Sequence, residues 1–384
     1  MRELTVPRVP LLAGPTPLMR LERFSRAIAP NGPTIWMKRD DLTPLAMGGN
    51  KLRKLEYLLG EALEQGADTV ITLGAVQSNH ACQTAAAARR YGLKAVLLLR
   101  GPRAVPSTGN LLLDHLFGAH ILLDPHPPSD WGTRVAEELR QQGRRPYLIP
   151  YGGSNATGAL GYVAAGIELA CQLEEMALSL DEIVVTSSSG GTQAGLVVAH
   201  AAGHLRPPIL GISVDPPASE LTETVYRLAT ETARRIDMPS PARHHVRVTD
   251  AYVGPGYAQM NEATREAILL IARTEGIITD PVYTGKALSG LVDFGAPWPL
   301  GGRPPRALLA HRRPARPLRL STPVTAPVSR NGSRRHTCGG ASHETNLRAR
   351  AGGDRRGSGR RPQPCPAAGP RVDLCSPHSG RGAG

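Results

Sequence analysis

The 384-residue chain is 41% hydrophobic and 4% aromatic, long enough for two or three domains around a large core, which excludes a disulfide-stapled miniprotein or a small adaptor. Its net charge of +13 is unevenly spread: residues 294–384 hold 17 Arg, no Lys and 3 acidic residues, a net of +14, against −1 for residues 1–293. No run of about 18 apolar residues is present, so a membrane-spanning helix is excluded as well.

In chain order, the opening stretch MRELTVPRVPLL lacks the apolar core of a signal peptide, and Cys82 and Cys171 are the only body cysteines. A cytoplasmic, reducing location is expected. Gly48, Gly49, Asn50 and Lys51 then open a predicted helix in which Leu52, Leu55, Leu58, Leu59 and Leu63 recur at helical spacing. Thr69 to Leu73 reads as a strand, Asn79 to Tyr91 as a helix and Ala95 to Leu99 as the next strand, a βαβ unit. The same order returns at Glu182 to Thr186, Gln193 to Ala202 and Ile209 to Val214, and Ile277 to Val282 is strand-like. Crossover connections require parallel strands covered by helices, so the expected class is α/β: two open parallel-sheet domains with a cleft between them. Ligands of such folds sit at the carboxyl ends of the strands.

Three of those strand ends carry reactive or ligand-binding residue types. Lys51, one of only five lysines in the chain, sits in the first helical turn behind two glycines; an ordinary surface lysine is the reading favoured from this feature alone, and a Schiff-base amine of depressed pKa is the functional one. Ser187 to Thr192, SSSGGT, lies between a strand and a helix, where backbone N–H groups and the helix dipole accommodate a phosphate; a plain Ser/Gly turn is the alternative. It has neither a Walker lysine nor a GxGxxG pattern, which argues against nucleoside triphosphates and dinucleotides. Gln77 to His80 occupies the equivalent turn of the first unit, with Ser78 or Asn79 also able to cap the helix. Tyr283 follows the last strand-like run and offers a ring that could stack on a planar ligand or simply fill a rim. Adjacent His244 and His245 should face opposite ways on a strand and have no partners at metal spacing, so no metal is expected. An amine nucleophile, a phosphate nest and an aromatic on two α/β domains are the parts of a pyridoxal 5'-phosphate enzyme.

The segments KRDDLTPLAMGGNKLRKLEYLLGEA, TLGAVQSNHACQTAAAARRYGL, PYGGSNATGALGYVAAGIE, SSSGGTQAGL and TDPVYTGKALSGL resemble, in order, the pyridoxal-phosphate enzymes of the tryptophan synthase β-like fold (fold type II) that include D-cysteine desulfhydrase and 1-aminocyclopropane-1-carboxylate deaminase. The resemblance implies that Lys51 bonds the cofactor aldehyde and moves the Cα proton, and that Lys54, Gly190, Gly191 and Thr192 hold the phosphate. It further implies Asn79 at the cofactor 3′ oxygen, Ser78 orienting the substrate carboxylate or assisting proton transfer, Tyr283 near the ring and Tyr257 approaching the substrate from the other side. Thr284 stands where the deaminase branch is expected to have Glu, so YTGKA resembles the desulfhydrase branch, whose reaction is α,β-elimination from D-cysteine to pyruvate, hydrogen sulfide and ammonia. L-cysteate sulfo-lyase and the deaminase are the alternatives, and a homodimer is implied. The expected organisation is an N-terminal segment, 1–49, on the larger domain; a smaller domain, 50–155; the larger domain, 156–293; and an aberrant, disordered tail, 294–384.

That tail breaks the resemblance. Where the family continues with a strand and a motif like VLFLHTGGxPGLFAY, this chain has RALLAHRRPARPLRLS. Read one base over, four-fold codons for Arg306 to Ala310 permit Val-Leu-Phe-Leu-His, His311 permits only Ile or Thr, Arg312 and Arg313 permit Gly, and Ala315 to Leu320 permit Pro-Gly-Leu-Phe-Ala-Tyr. A frameshift between about Asp293 and Arg306 is therefore expected, removing the last strand of the larger domain and compromising activity. The same codons explain the arginine content. Because no aromatic follows Trp298 to stack bases, nucleic acid is not an expected partner.

Overall fold

The computed structural model describes residues 4–295 and, as backbone, 306–310. Its elements in chain order are β1 (Leu18–Arg20), α1 (Glu22–Ile28), β2 (Thr34–Lys38), α2 (Lys51–Glu64), β3 (Thr69–Ala75), α3 (Asn79–Arg90), β4 (Lys94–Arg100), α4 (Gly109–Leu116), β5 (His120–Asp124), α5 (Trp131–Gln141) and β6 (Pro146–Ile149). There follow α6 (Ala156–Glu175), β7 (Glu182–Ser187), α7 (Gly191–Ala201), β8 (Ile209–Ser213), α8 (Ala218–Arg235), β9 (Arg247–Thr249), α9 (Glu262–Glu275), α10 (Thr284–Gly295) and β10 (Arg306–Ala310). The strands form two sheets. One has the order β5-β4-β3-β6 and is parallel throughout; the other has the order β1-β2-β10-β7-β8-β9 and is parallel except for the β1–β2 pair.

Strands such as β4 (KAVLLLR) are buried through their middle five residues, as expected where helices cover both faces. Around the smaller sheet, Leu52, Leu55, Leu58 and Leu59 of α2 pack with Ala81 and Ala85 of α3 and with Leu97 and Leu99 of β4. The N-terminal segment divides between the two bodies. Its β1 and β2 extend the larger sheet, while Val9 and Leu11 join the core under α2.

Helix α2 is buried nearly all round, including its charged residues Lys51, Arg53, Lys54 and Glu56. Arg53, 2% exposed, grips Asp40 through Nε and Nη2, both at 2.9 Å, and reaches Glu168 of α6 through Nη1 at 2.8 Å. Burial alone would raise the Asp40 carboxyl, but the charge and hydrogen bonds of Arg53, with the Tyr162 hydroxyl at 2.6 Å, hold it below the usual range. Removing one member of such a buried pair costs roughly 3–5 kcal/mol, so this network fixes how α2 lies on α6. Gly161 of α6 lets them approach: a Cβ there would stand 2.1 Å from the Arg53 carbonyl oxygen.

Three expectations are corrected. Ile277 to Val282 forms no strand, because the Asp280 side chain takes the next backbone N–H groups and Pro281 has none to give to a ladder. His244 and His245 lie in a single 3₁₀ turn, Arg243–His245, with their rings 4.3 Å apart rather than on opposite faces of a strand. The larger sheet does not lack its last strand: β10, from the stretch assigned to the aberrant tail, pairs in parallel with both β2 and β7. Sheet pairing draws on backbone N–H and C=O groups, which the proline-free run RALLA supplies whatever its reading frame. The remainder of the expected tail, 296–305 and 311–384, lies outside the described residues.

Candidate active site

A cleft lies where the carboxyl ends of β3 and β7 meet the N-termini of α2, α3, α7 and α10. Its walls include Lys51, Ser78, Gly190, Thr192, Tyr257 and Tyr283. Lys54, Asn79, Gly191 and Thr284, also expected at the site, are not on that wall and contribute from behind it.

At one end of the cleft the backbone makes an anion seat. Gly190, at φ +78, caps α7 in the left-handed region, turning the chain so that Thr192 and Gln193 enter the first helical turn with no preceding turn to accept their N–H groups. A side chain on Gly191 would collide with Ser154 Oγ at 2.7 Å and Lys54 Nζ at 2.9 Å, so only glycine lets the ammonium reach this helix end. Lys54 is fully buried and pairs with no carboxylate among the described residues; its Nζ donates to Ser154 Oγ at 3.0 Å and to the Gly152 carbonyl at 3.3 Å. Burial lowers its pKa to about 7, with a hydrogen bond to Lys51 pulling the other way. A buried cation lacking a counter-charge, beside a helix N-terminus, is matched by a bound anion.

Lys51, 9% exposed, begins α2 and donates from Nζ to the Gly152 carbonyl at 3.0 Å. Gly152 and Gly153 both have positive φ, +66 and +61, and a Cβ on Gly152 would lie 3.4 Å from Lys51 Nζ. Opposite, Ser78 caps α3 by accepting from the Ala81 N–H at 3.2 Å while lining the cleft, so both readings of this residue hold together. Asn79, 3% exposed, accepts from Gln83 Nε2 at 3.0 Å, and its Nδ2 is a buried donor with no partner among the described residues. Ser187 Oγ and Asn50 Oδ1 are likewise buried with none among the described residues. Such orphaned polar atoms are costly unless a ligand answers them.

The third side is built by Asp280, whose carboxylate accepts the N–H groups of Val282 (3.0 Å), Tyr283 (2.6 Å) and Thr284 (3.0 Å). This side-chain cap starts α10 and turns Tyr283 into the cleft, while Thr284 is fully buried beneath it. Tyr283 Oη lies 2.7 Å from Tyr257 Oη, and burial, followed by Tyr283 and Tyr151, raises the Tyr257 phenol well above its usual range. Sequence reasoning missed Asp280, Tyr151, Gly152 and Ser154. The Gly-Gly pair after β6 offers the same cue as the other strand-end glycines; nothing local marks Asp280, which reads as an ordinary turn residue before proline.

An anion seat with a buried lysine, a second lysine within reach of it and a buried unpaired amide donor fit a phosphorylated pyridine aldehyde: Gly190, Gly191, Thr192 and Lys54 would hold its phosphate, Asn79 its ring oxygen and Lys51 its aldehyde. Fold and cleft together are those of a fold type II enzyme. A family model described as pyridoxal-phosphate dependent enzyme matches residues 9–299, and the chain belongs to that family. A solved structure described as an ACC deaminase homologue is 40% identical, with a TM-score of 0.72 over 80% of this chain and 92% of that one. A threonine deaminase from T.th. (20% identical, TM-score 0.58, covering 79% of this chain and 94% of its own) shares the fold. So does a pyridoxal 5'-phosphate-dependent aspartate racemase (17%, 0.56, 78% and 89%). Among the described residues no helix is long and apolar enough to cross a membrane, and no group of His, Cys, Asp and Glu is placed to hold a metal ion.

Proposed function

We propose that this enzyme is a carbon–sulfur lyase that eliminates sulfide from D-cysteine, giving pyruvate, hydrogen sulfide and ammonia. When bound, pyridoxal phosphate supplies an electron-withdrawing ring that makes the substrate Cα–H acidic. Lys51 Nζ takes the Cα proton. Ser78 Oγ and the N-terminus of α3 orient the carboxylate, and the Tyr257–Tyr283 hydroxyl pair gives the leaving sulfur its proton. The Cβ–S bond breaks as the Cα=Cβ bond forms, and the released 2-aminoacrylate takes up water to become pyruvate and ammonia.

One observation carries the choice of substrate: the described cleft wall contains no arginine, and Lys51 is its one lysine. A sulfonate leaving group, ionised at neutral pH, would lack a dedicated cation, whereas a neutral thiol needs only hydroxyl partners. Thr284 at the start of α10 gives a neutral hydroxyl where the deaminase-like pattern calls for a carboxylate. The 40% identical ACC deaminase homologue keeps cyclopropane ring opening as the second reading. A cytoplasmic homodimer completes the proposal, and the buried Cys82 thiol, in no disulfide among the described residues, suits a reducing compartment.

The test is one panel: sulfide from D- and L-cysteine, sulfite from L-cysteate and ammonia from 1-aminocyclopropane-1-carboxylate. Sulfide release fastest from D-cysteine is expected, and abolished in Lys51→Ala. Borohydride trapping that tags a lysine other than Lys51 would overturn the site assignment.

A further inference from the structure

Lys286 is a buried lysine that the elimination does not use. It is 1% exposed, one turn beyond Tyr283 on α10, and its backbone N–H bonds the Tyr283 carbonyl at 3.1 Å. Its Nζ donates to three carbonyls: Val253 at 2.7 Å, Gly256 at 2.7 Å and, more weakly, Val214 at 3.4 Å. No carboxylate touches it among the described residues; burial lowers its pKa, with the charge of Asp215 opposing.

The two nearer carbonyls, those of Val253 and Gly256, belong to the loop that presents Tyr257, and that of Val214 follows β8. That loop has positive φ at Gly254 (+65), Gly256 (+141) and Ala258 (+59), and no regular element fixes it. Without an anchor such a segment samples many conformations. The tether matters because Tyr257 Oη must stay 2.7 Å from Tyr283 Oη, with the rings edge-on and centroids 6.1 Å apart. One helical turn thus controls both phenols, carrying Tyr283 directly and Tyr257 through Lys286. Ammonium-to-carbonyl bonds are charge-assisted and stronger than neutral ones.

We propose that Lys286 is a positioning residue: its ammonium, without touching substrate, clamps the Val253–Gly256 backbone so that the Tyr257 hydroxyl is held against that of Tyr283. This rests on the reading of that hydroxyl pair as the proton source for the leaving group, but its structural half is independent of any substrate.

The test is a double-mutant cycle on the cofactor-loaded full chain, using sulfide release from D-cysteine with Lys286→Met, Tyr257→Phe and both together. Each single change should lower kcat by roughly 10- to 100-fold with little change in KM, as a misplaced group does. The pair should fall no further than the worse single change. Lys286→Gln, which keeps amide donors, should recover part of the loss and serves if the methionine variant does not fold. Multiplying losses, or an unchanged kcat in both Lys286 variants, overturns the proposal. Amide hydrogen exchange separates this from a wrong substrate: exchange across residues 254–259 should quicken in the Lys286 variants while α9 stays protected. Unchanged exchange there overturns the clamp, even if no amino acid in the panel is turned over.

Discussion

Lys51 and Lys54 aim their ammonium nitrogens at one carbonyl, that of Gly152, at 3.0 and 3.3 Å. They stand three residues apart on the first turn of α2, so a single helix end would supply both the amine proposed to react and the cation proposed to grip the phosphate. Because burial brings Lys54 down to about 7, the two are not permanently alike in charge.

That value fixes a proton balance. A folded-state pKa of about 7 against 10.5 means that the unfolded chain binds more protons between those values, so this group's contribution to stability of the cofactor-free protein rises with pH across that window. A phosphate dianion favours the charged lysine and must drive proton uptake above pH 7. Calorimetry of inorganic phosphate at about pH 8, in buffers of different ionisation enthalpy, should register uptake approaching one proton that disappears in Lys54→Met, with affinity falling as pH rises further. Equal uptake in the variant would remove Lys54 from the seat.

Gly161→Ala tests how tightly the site depends on helix packing. The new Cβ would meet the Arg53 carbonyl oxygen and carbon at 2.1 and 2.3 Å and the Lys54 nitrogen at 2.7 Å, all backbone atoms that can move only with α2 itself. Denaturant melts should show a loss of about 1–3 kcal/mol, and cofactor titration a weaker Kd, since Lys51 and Lys54 shift together. Full stability with unaltered cofactor affinity would show that α2 has slack here.

Asp114 of α4 makes a different pH prediction. It is fully buried beside Cys82 of α3, with no cation paired to it among the described residues; burial pushes its carboxyl up to about 7, and the Cys82 hydrogen bond opposes that. A folded pKa above the unfolded 3.8 means that the folded chain holds the extra proton, so this group's contribution is present below pH 4 and lost as pH climbs to about 7. Asp114→Asn should therefore raise the unfolding free energy from denaturant melts more at pH 8 than at pH 5, with a difference on the order of a few kcal/mol. An identical gain at both pH values would mean that Asp114 is already ionised at the lower one.

What the sequence made legible were features that act locally. The β3–α3–β4 and β7–α7–β8 units lie within two residues of their expected ends, because alternation of apolar runs with helical periodicity is read over a dozen positions. Lys51, Ser78 and Gly190 line the cleft because strand-end glycines and caps announce themselves. Asp280, Lys286 and Gly161 were not legible, since each works through a backbone group that its own neighbourhood does not name. An aspartate before proline is a turn, a helical lysine is solvent-facing by default, and a glycine inside a helix is merely unfavourable.

The placement of β10 has a consequence for biosynthesis. β2 ends at Lys38 and β10 begins at Arg306, yet they are neighbours, and β10 alone joins β1-β2 to β7-β8-β9. While the chain emerges from the ribosome, β2 presents an open backbone edge from residue 38, and β7 from residue 187, until β10 at residues 306–310 has been made, each ready to pair with another nascent molecule. Shielding those edges until β10 is delivered would limit such mispairing.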